Sequence, residues 1–229
     1  MNCYVVRGDL CWSASMDALS CMENGFLVVE NGRVVSVFQS LPERFRLWPL
    51  LDFTGKLILP GMTDLHLHAP QFAFRGLGMD LELLEWLNAY TFPEEAKYAQ
   101  LDYADRAYES FVWRLLHSTT TRAVIFATIH VAATELLMQK LDRAGLHACV
   151  GKVNMNRNSP DYLRESSTVQ ALRDTERWIL ETRDAYRHVK PIITPRFIPS
   201  CTDDLMYALA RLREKYGLGV QSHLSENHA

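Results

Sequence analysis

The pair His66 and His68 lies at the end of Leu57–Ala69, an apolar run interrupted by Pro60 and Gly61. In an extended strand, residues at i and i+2 face the same side, so both imidazoles can reach one ion. Neutral imidazole suits zinc, and iron fits the same donors. An H-x-H pair recurs by chance in a chain with eight histidines, and its weight comes from context: Pro60-Gly61 break the run and Asp64 precedes His66 by two. A strand with ligands at its carboxyl end is where a (β/α) barrel keeps its chemistry. His223 ends a second apolar run, Leu218–Leu224, with Glu226 three residues on. Read alone, such a histidine is more often structural than a ligand. Gln71 alone reads as a solvated amide, Arg196-Phe197 as a surface guanidinium beside a core phenylalanine, and His130 as a loop histidine.

The elements that must position these residues follow from hydrophobic periodicity. From Cys3 to Ile58 the chain reads as strands, and Asn31-Gly32 between two β-branched and aromatic runs signals a hairpin, because both residues accept positive φ. A small β domain is expected over residues 1–58. Alone, about 55 residues of strand leave faces and edges exposed, so the domain calls for further strands. Beyond it, candidate strands at Leu57–His66, Thr121–Ile129, His147–Met155, Val189–Phe197 and Leu218–Leu224 alternate with helical stretches. The helices are expected at Glu94–His117, Ala132–Ala144, Val169–Tyr186 and Thr202–Tyr216. Gly145 and Gly217 stand where helices end, and Thr202 can cap the last one. This order predicts an α/β protein with a parallel sheet or barrel. Only five strands are present, and an eight-stranded barrel takes about 250 residues, so residues 59–229 are expected to form part of one. Arg157–Asp161 reads as a loop on the rim of its active face.

Composition removes several function classes. With 48% hydrophobic and 22% charged residues the chain is that of an ordinary globular protein, and a net charge of −3 with no basic cluster argues against nucleic acid as a partner. No apolar run is long enough for a membrane span, and no basic segment precedes a signal-like core. Five scattered cysteines without C-x-x-C spacing fit free thiols in a reducing cytoplasm.

Asp52, Gly55, Leu57, Ile58, Pro60, Gly61, Asp64, His66 and His68 fall at the spacings of the entry signature of the amidohydrolase superfamily, which the chain resembles. The stretches His68–Gln71, Leu83–Leu87, Tyr90–Pro93, Phe126–His130, Val150–Val153, Lys190–Phe197 and Gln221–Asn227 narrow the resemblance to its guanine-deaminating branch. The resemblance implies a partial TIM-like barrel, about five of eight strands, preceded by a small β-sandwich domain completed by C-terminal strands. It implies zinc held by His66, His68 and His223, with Glu226 shuttling protons and its pKa raised by apolar surroundings. Gln71 and Arg196 are implied to read the edge of guanine, and Phe197 to pack on the ring. Water activated at the metal would attack C2, ammonia would leave, and xanthine would form. A cytoplasmic homodimer is implied for the full-length protein. The other known nucleobase-deaminase chemistry holds zinc through H-x-E and P-C-x-x-C, and this chain has neither. Two alternatives stand beside this reading: a related amidohydrolase acting on another purine or a triazine, and a truncated chain that binds without turnover. The second arises because the family adds a further His and an Asp from later strands, and neither motif occurs here. Trp86 and the leucines around it read as packing, and His130 matches the branch without an assignable role.

Overall fold

The computed structural model describes residues 3–226, and the chain divides into two compact units, Met1–Gly61 and Met62–Ala229. In the first unit β1 (Cys3–Ser15), β2 (Ala18–Glu30), β3 (Arg33–Phe38) and β4 (Leu50–Ile58) form a sheet in the order β3-β2-β1-β4. β2 is antiparallel to both neighbours, and β4 runs parallel to β1. The expected hairpin is present: Glu30 pairs with Arg33 across Asn31 and Gly32, whose φ values of 51° and 77° match the right-handed twist of the strands. Val5, Val28 and Phe45 make a small core with Trp48 packed edge-on against Phe45. Leu10, Trp12, Leu27, Val37 and Ile58 line an open apolar groove on this unit.

The stretch Leu57–His66, expected as one strand, is two. Pro60 has no N–H to continue a ladder, so β4 ends at Ile58 and β5 (Met62–His68) begins a new sheet in the second unit. There β5, β6 (Thr120–Phe126), β7 (His147–Gly151) and β9 (Val189–Pro191) pair in parallel in that order. Beyond Lys152 the third strand resumes as β8 (Val153–Asn154), paired with β10 (Thr194–Pro195). The stretch Leu218–Leu224 joins through two parallel bridges, Ile193 to Val220 and Phe197 to His223.

Between the strands lie α1 (Leu83–Trp86), α2 (Phe92–Ala96), α3 (Leu101–Leu116), α4 (Val131–Arg143), α5 (Thr168–Thr182) and α6 (Asp203–Tyr216). The helix expected over Glu94–His117 is interrupted because Gln100 takes an extended backbone and starts α3 afresh. Ser167 and Thr202 cap α5 and α6 by accepting from Gln170 N and Leu205 N. Gly145 and Gly217 follow α4 and α6 in left-handed conformation, which a side chain would oppose. Apolar helix faces close over the sheet: Leu137, Leu141, Trp178, Ile179, Leu205 and Leu209 share one core with Ile125, Val150 and Val189. The chain is therefore an α/β protein, with its parallel strands ending on the side that carries the histidines.

Candidate metal centre

His66, His68 and His223 come together, with one ring nitrogen from each lying within 4.8 Å of the other two. Strand alternation alone does not arrange the first two. Between Asp64 and Leu67 the register of β5 against β6 shifts, three residues on β5 spanning two on β6. Such a bulge re-aims side chains and leaves a backbone group without a ladder partner. Asp64 Oδ1 accepts from His66 N at 3.0 Å, which gives the signature aspartate a structural task at the bulge. His68 lies flat on Phe126, 4.5 Å between ring centres and 12° between planes.

His223 arrives from 155 residues away, and its Nε2 lies 3.0 Å from His68 Nε2. That spacing fits two imidazole nitrogens each at about 2.0–2.1 Å from one zinc ion. His223 Nδ1 donates to the backbone carbonyl of Arg196 at 2.7 Å, which leaves Nε2 with a free lone pair. A carbonyl partner of this kind is how proteins fix the tautomer of a metal-ligating histidine. On the far side of His68, the Gln71 amide meets Nδ1 at 3.2 Å. Presenting its oxygen there holds a proton on Nδ1 and frees His68 Nε2 for a metal; presenting its nitrogen lets His68 Nε2–H donate to His223 instead. Burial holds His68 well below the ordinary histidine range, with the Arg196 charge and the two neighbouring histidines adding to it. Burial also lowers His223, opposed by its bond to the Arg196 carbonyl and the charge of Glu226. Both rings thus resist protonation, as ligands must. The donor set suits a divalent metal.

Arg196 is not the surface guanidinium that its sequence position suggests. It is 3% exposed, and its two terminal nitrogens donate to Glu95 at 2.5 and 3.2 Å. Phe92 lies 5.4 Å beneath the guanidinium carbon. Phe197 is half-buried and lines a cavity of about 330 Å³ with Phe92, Leu84, Leu87, Asn88 and Pro160. Phe92 and Leu87 belong to the same apolar cluster as Phe126, so the cavity wall and the ring under His68 are continuous. Glu226 is exposed, so the expected apolar surroundings are not found about it among the described residues. The motif residue Asn227 lies outside the described residues. His130 starts α4, and its Nε2 is buried without a partner; burial, then the charge of Lys152, lowers its pKa. Trp86 packs on Phe74 and donates to Leu77 O, in keeping with a packing role.

Several contributors escaped the sequence reading. Glu95 follows Pro93 in the first turn of α2, where an acidic residue signals only a helix start. Phe126 opens the Phe126–His130 stretch, where its sequence gives no sign that it stacks on His68. Gly151 has no side chain because Thr194 Oγ1 and Gln221 Nε2 occupy that space. Gln221 Nε2 donates to Thr194 Oγ1 at 2.9 Å and Ile125 O at 3.1 Å, tying three strands together beneath His223.

Residues 57–229 match the model of the amidohydrolase family. The chain belongs to that family. Among curated relatives, the guanine deaminase of Dictyostelium discoideum is 44% identical over 179 residues, covering 78% of this chain and 40% of that protein. The probable guanine deaminase of Schizosaccharomyces pombe is 36% identical, covering 99% of this chain and 45% of the relative. The solved structure of the C. acetobutylicum guanine deaminase with bound guanine superposes with a TM-score of 0.93 at 47% identity, over 99% of this chain and 54% of that one. This amidohydrolase chain therefore spans about half the length of the relatives it matches.

Proposed function

We propose that the protein containing this chain is a guanine deaminase, converting guanine and water to xanthine and ammonia. The observation that carries the reading is the convergence of three imidazoles beside a buried guanidinium whose fork is already held in place. Relatives and a superposing structure named as guanine deaminases support it. His66, His68 and His223 would hold the metal, proposed as zinc, with iron suiting the same donors. When bound, a divalent metal supplies Lewis acidity and a nucleophile near neutral pH.

The chain's own residues supply recognition and proton transfer. Arg196 offers only donors, which suits the O6 and N7 acceptor edge of guanine, and Gln71 offers a donor and an acceptor. Phe197 packs on the purine face from the cavity it shares with Phe92. Glu226 carries a proton to the ring; its charge already acts on His223. The parallel order of β5, β6, β7 and β9 supports reading the second unit as part of a (β/α) barrel. The open apolar groove of the first unit supports reading its sheet as half of a sandwich. The family resemblance supports a cytoplasmic homodimer.

Metal analysis and turnover of the whole protein test the proposal together. We expect about one divalent ion per chain and xanthine from guanine, with adenine a poor substrate because it lacks O6 and the 2-amino group. Equal turnover of adenine and guanine would overturn the substrate assignment. A metal stoichiometry unaffected by replacing His68 and His223 would overturn the ligand set.

A further inference from the structure

Glu95 and Arg196 lie 101 residues apart in the chain and meet as a two-point ion pair that solvent barely touches: Glu95 is 1% exposed and Arg196 3%. The neighbouring Glu94 is otherwise engaged, accepting from Lys97 and from the Tyr103 hydroxyl. Successive helical residues point about 100° apart, so α2 turns one carboxylate to Lys97 and the next to Arg196. A guanidinium has five N–H groups. Glu95 takes two, and no other hydrogen-bond partner of the Arg196 side chain occurs among the described residues. Three N–H groups are left for a ligand, in a plane fixed by the carboxylate. Phe92, one turn before Glu95, supports the guanidinium at 5.4 Å and also lines the Phe197 cavity.

We propose that Glu95 is a positioning residue for base recognition: by holding both terminal nitrogens of Arg196, it aims the remaining N–H groups at the acceptor edge of the substrate. The inference rests on the reading of Arg196 given above. A lone buried guanidinium is costly and would turn toward water or another acceptor; a bidentate carboxylate offsets its charge and fixes its plane. Orientation set in advance is not paid for when substrate binds. An ion pair that merely docks α2 would contribute to stability and leave substrate affinity alone.

The test compares Glu95→Asp, Arg196→Gln and the two together in the whole protein, reading guanine KM and kcat, metal per chain and melting temperature. Glu95→Asp keeps the charge, so the variant folds, but the shorter arm cannot reach both nitrogens. We expect KM for guanine to rise about ten-fold, as for one lost charge-assisted hydrogen bond, with metal content unchanged. In the Arg196→Gln background the Glu95 change should add no further loss. Losses that multiply, or a lower melting temperature with unchanged KM, would overturn the positioning role while leaving Arg196 as a reader of the base. A folded Arg196→Gln protein with unchanged guanine KM would instead overturn the reading of Arg196 itself.

Discussion

Replacing Lys152 by methionine removes the cation from one of two deeply buried ion pairs among the described residues of the second unit, the other being Arg196 with Glu95. Lys152 is 1% exposed and donates to Glu165, whose side chain is 7% exposed. The same carboxylate accepts from Asn154 Nδ2 at 3.0 Å and from Met155 N at 3.0 Å, while Asn154 also donates to Thr175 in α5 at 2.9 Å. The network thereby ties the end of β8 to α5 and to the segment whose residues Asn158, Ser159 and Pro160 wall the Phe197 cavity. Lys152→Met leaves a buried carboxylate with only neutral donors, a change that costs about 3–5 kcal/mol. Glu165→Gln strands the ammonium at a similar cost. Removing both charges restores neutrality, and the glutamine oxygen can still accept from Met155 N, so the double variant should be far more stable than the sum of the singles. Urea unfolding at pH 7, followed by tryptophan fluorescence, to which the fully buried Trp178 contributes, measures all three. A second readout is independent of stability: because Lys152 helps to lower the pKa of His130, the His130 ring should titrate higher in Lys152→Met by NMR. A loss below about 1 kcal/mol for Lys152→Met, no more than an ordinary hydrogen bond contributes, would refute the argument. Additive single losses would refute it as well.

Three further outcomes follow from the site. Arg196→Lys should lower guanine kcat/KM by about ten- to a hundred-fold, because a point charge cannot replace a planar fork; metal content should hold, since His223 is fixed by the Arg196 backbone carbonyl. Glu226→Gln should retain metal and lose about 10²- to 10⁴-fold in turnover, and retention within a factor of about ten would rule out proton shuttling. His130 has a lowered folded pKa, so as pH falls below about 6.5 the unfolded chain binds a proton that the folded protein refuses, and stability drops until the folded pKa is reached. His130→Asn should flatten that part of the stability curve between pH 7 and 5, and an unchanged curve would show that the ring titrates normally.

Local features of this chain were legible because their causes lie within a few residues. The Asn31-Gly32 hairpin, the Thr202 cap and the glycines ending α4 and α6 depend on backbone freedom and side chains close by in sequence. The His66/His68 spacing placed two imidazoles where they converge with a third, and the surrounding signature tied them to a family that residues 57–229 match. Strand boundaries were less legible where one apolar run served two units, as at Leu57–His66. Tertiary structure alone decided what faces the histidines. The bulge in β5 is set by its pairing with β6, the tautomer of His223 by a carbonyl 27 residues earlier, and the burial of Arg196 by a glutamate 101 residues away. Periodicity assigns a residue to a face, but a partner across the fold depends on which strand ends the chain brings together. For that reason Arg196 and Gln71, read alone, looked like surface groups in the sequence, while the fold buries one in an ion pair and sets the other against the His68 ring.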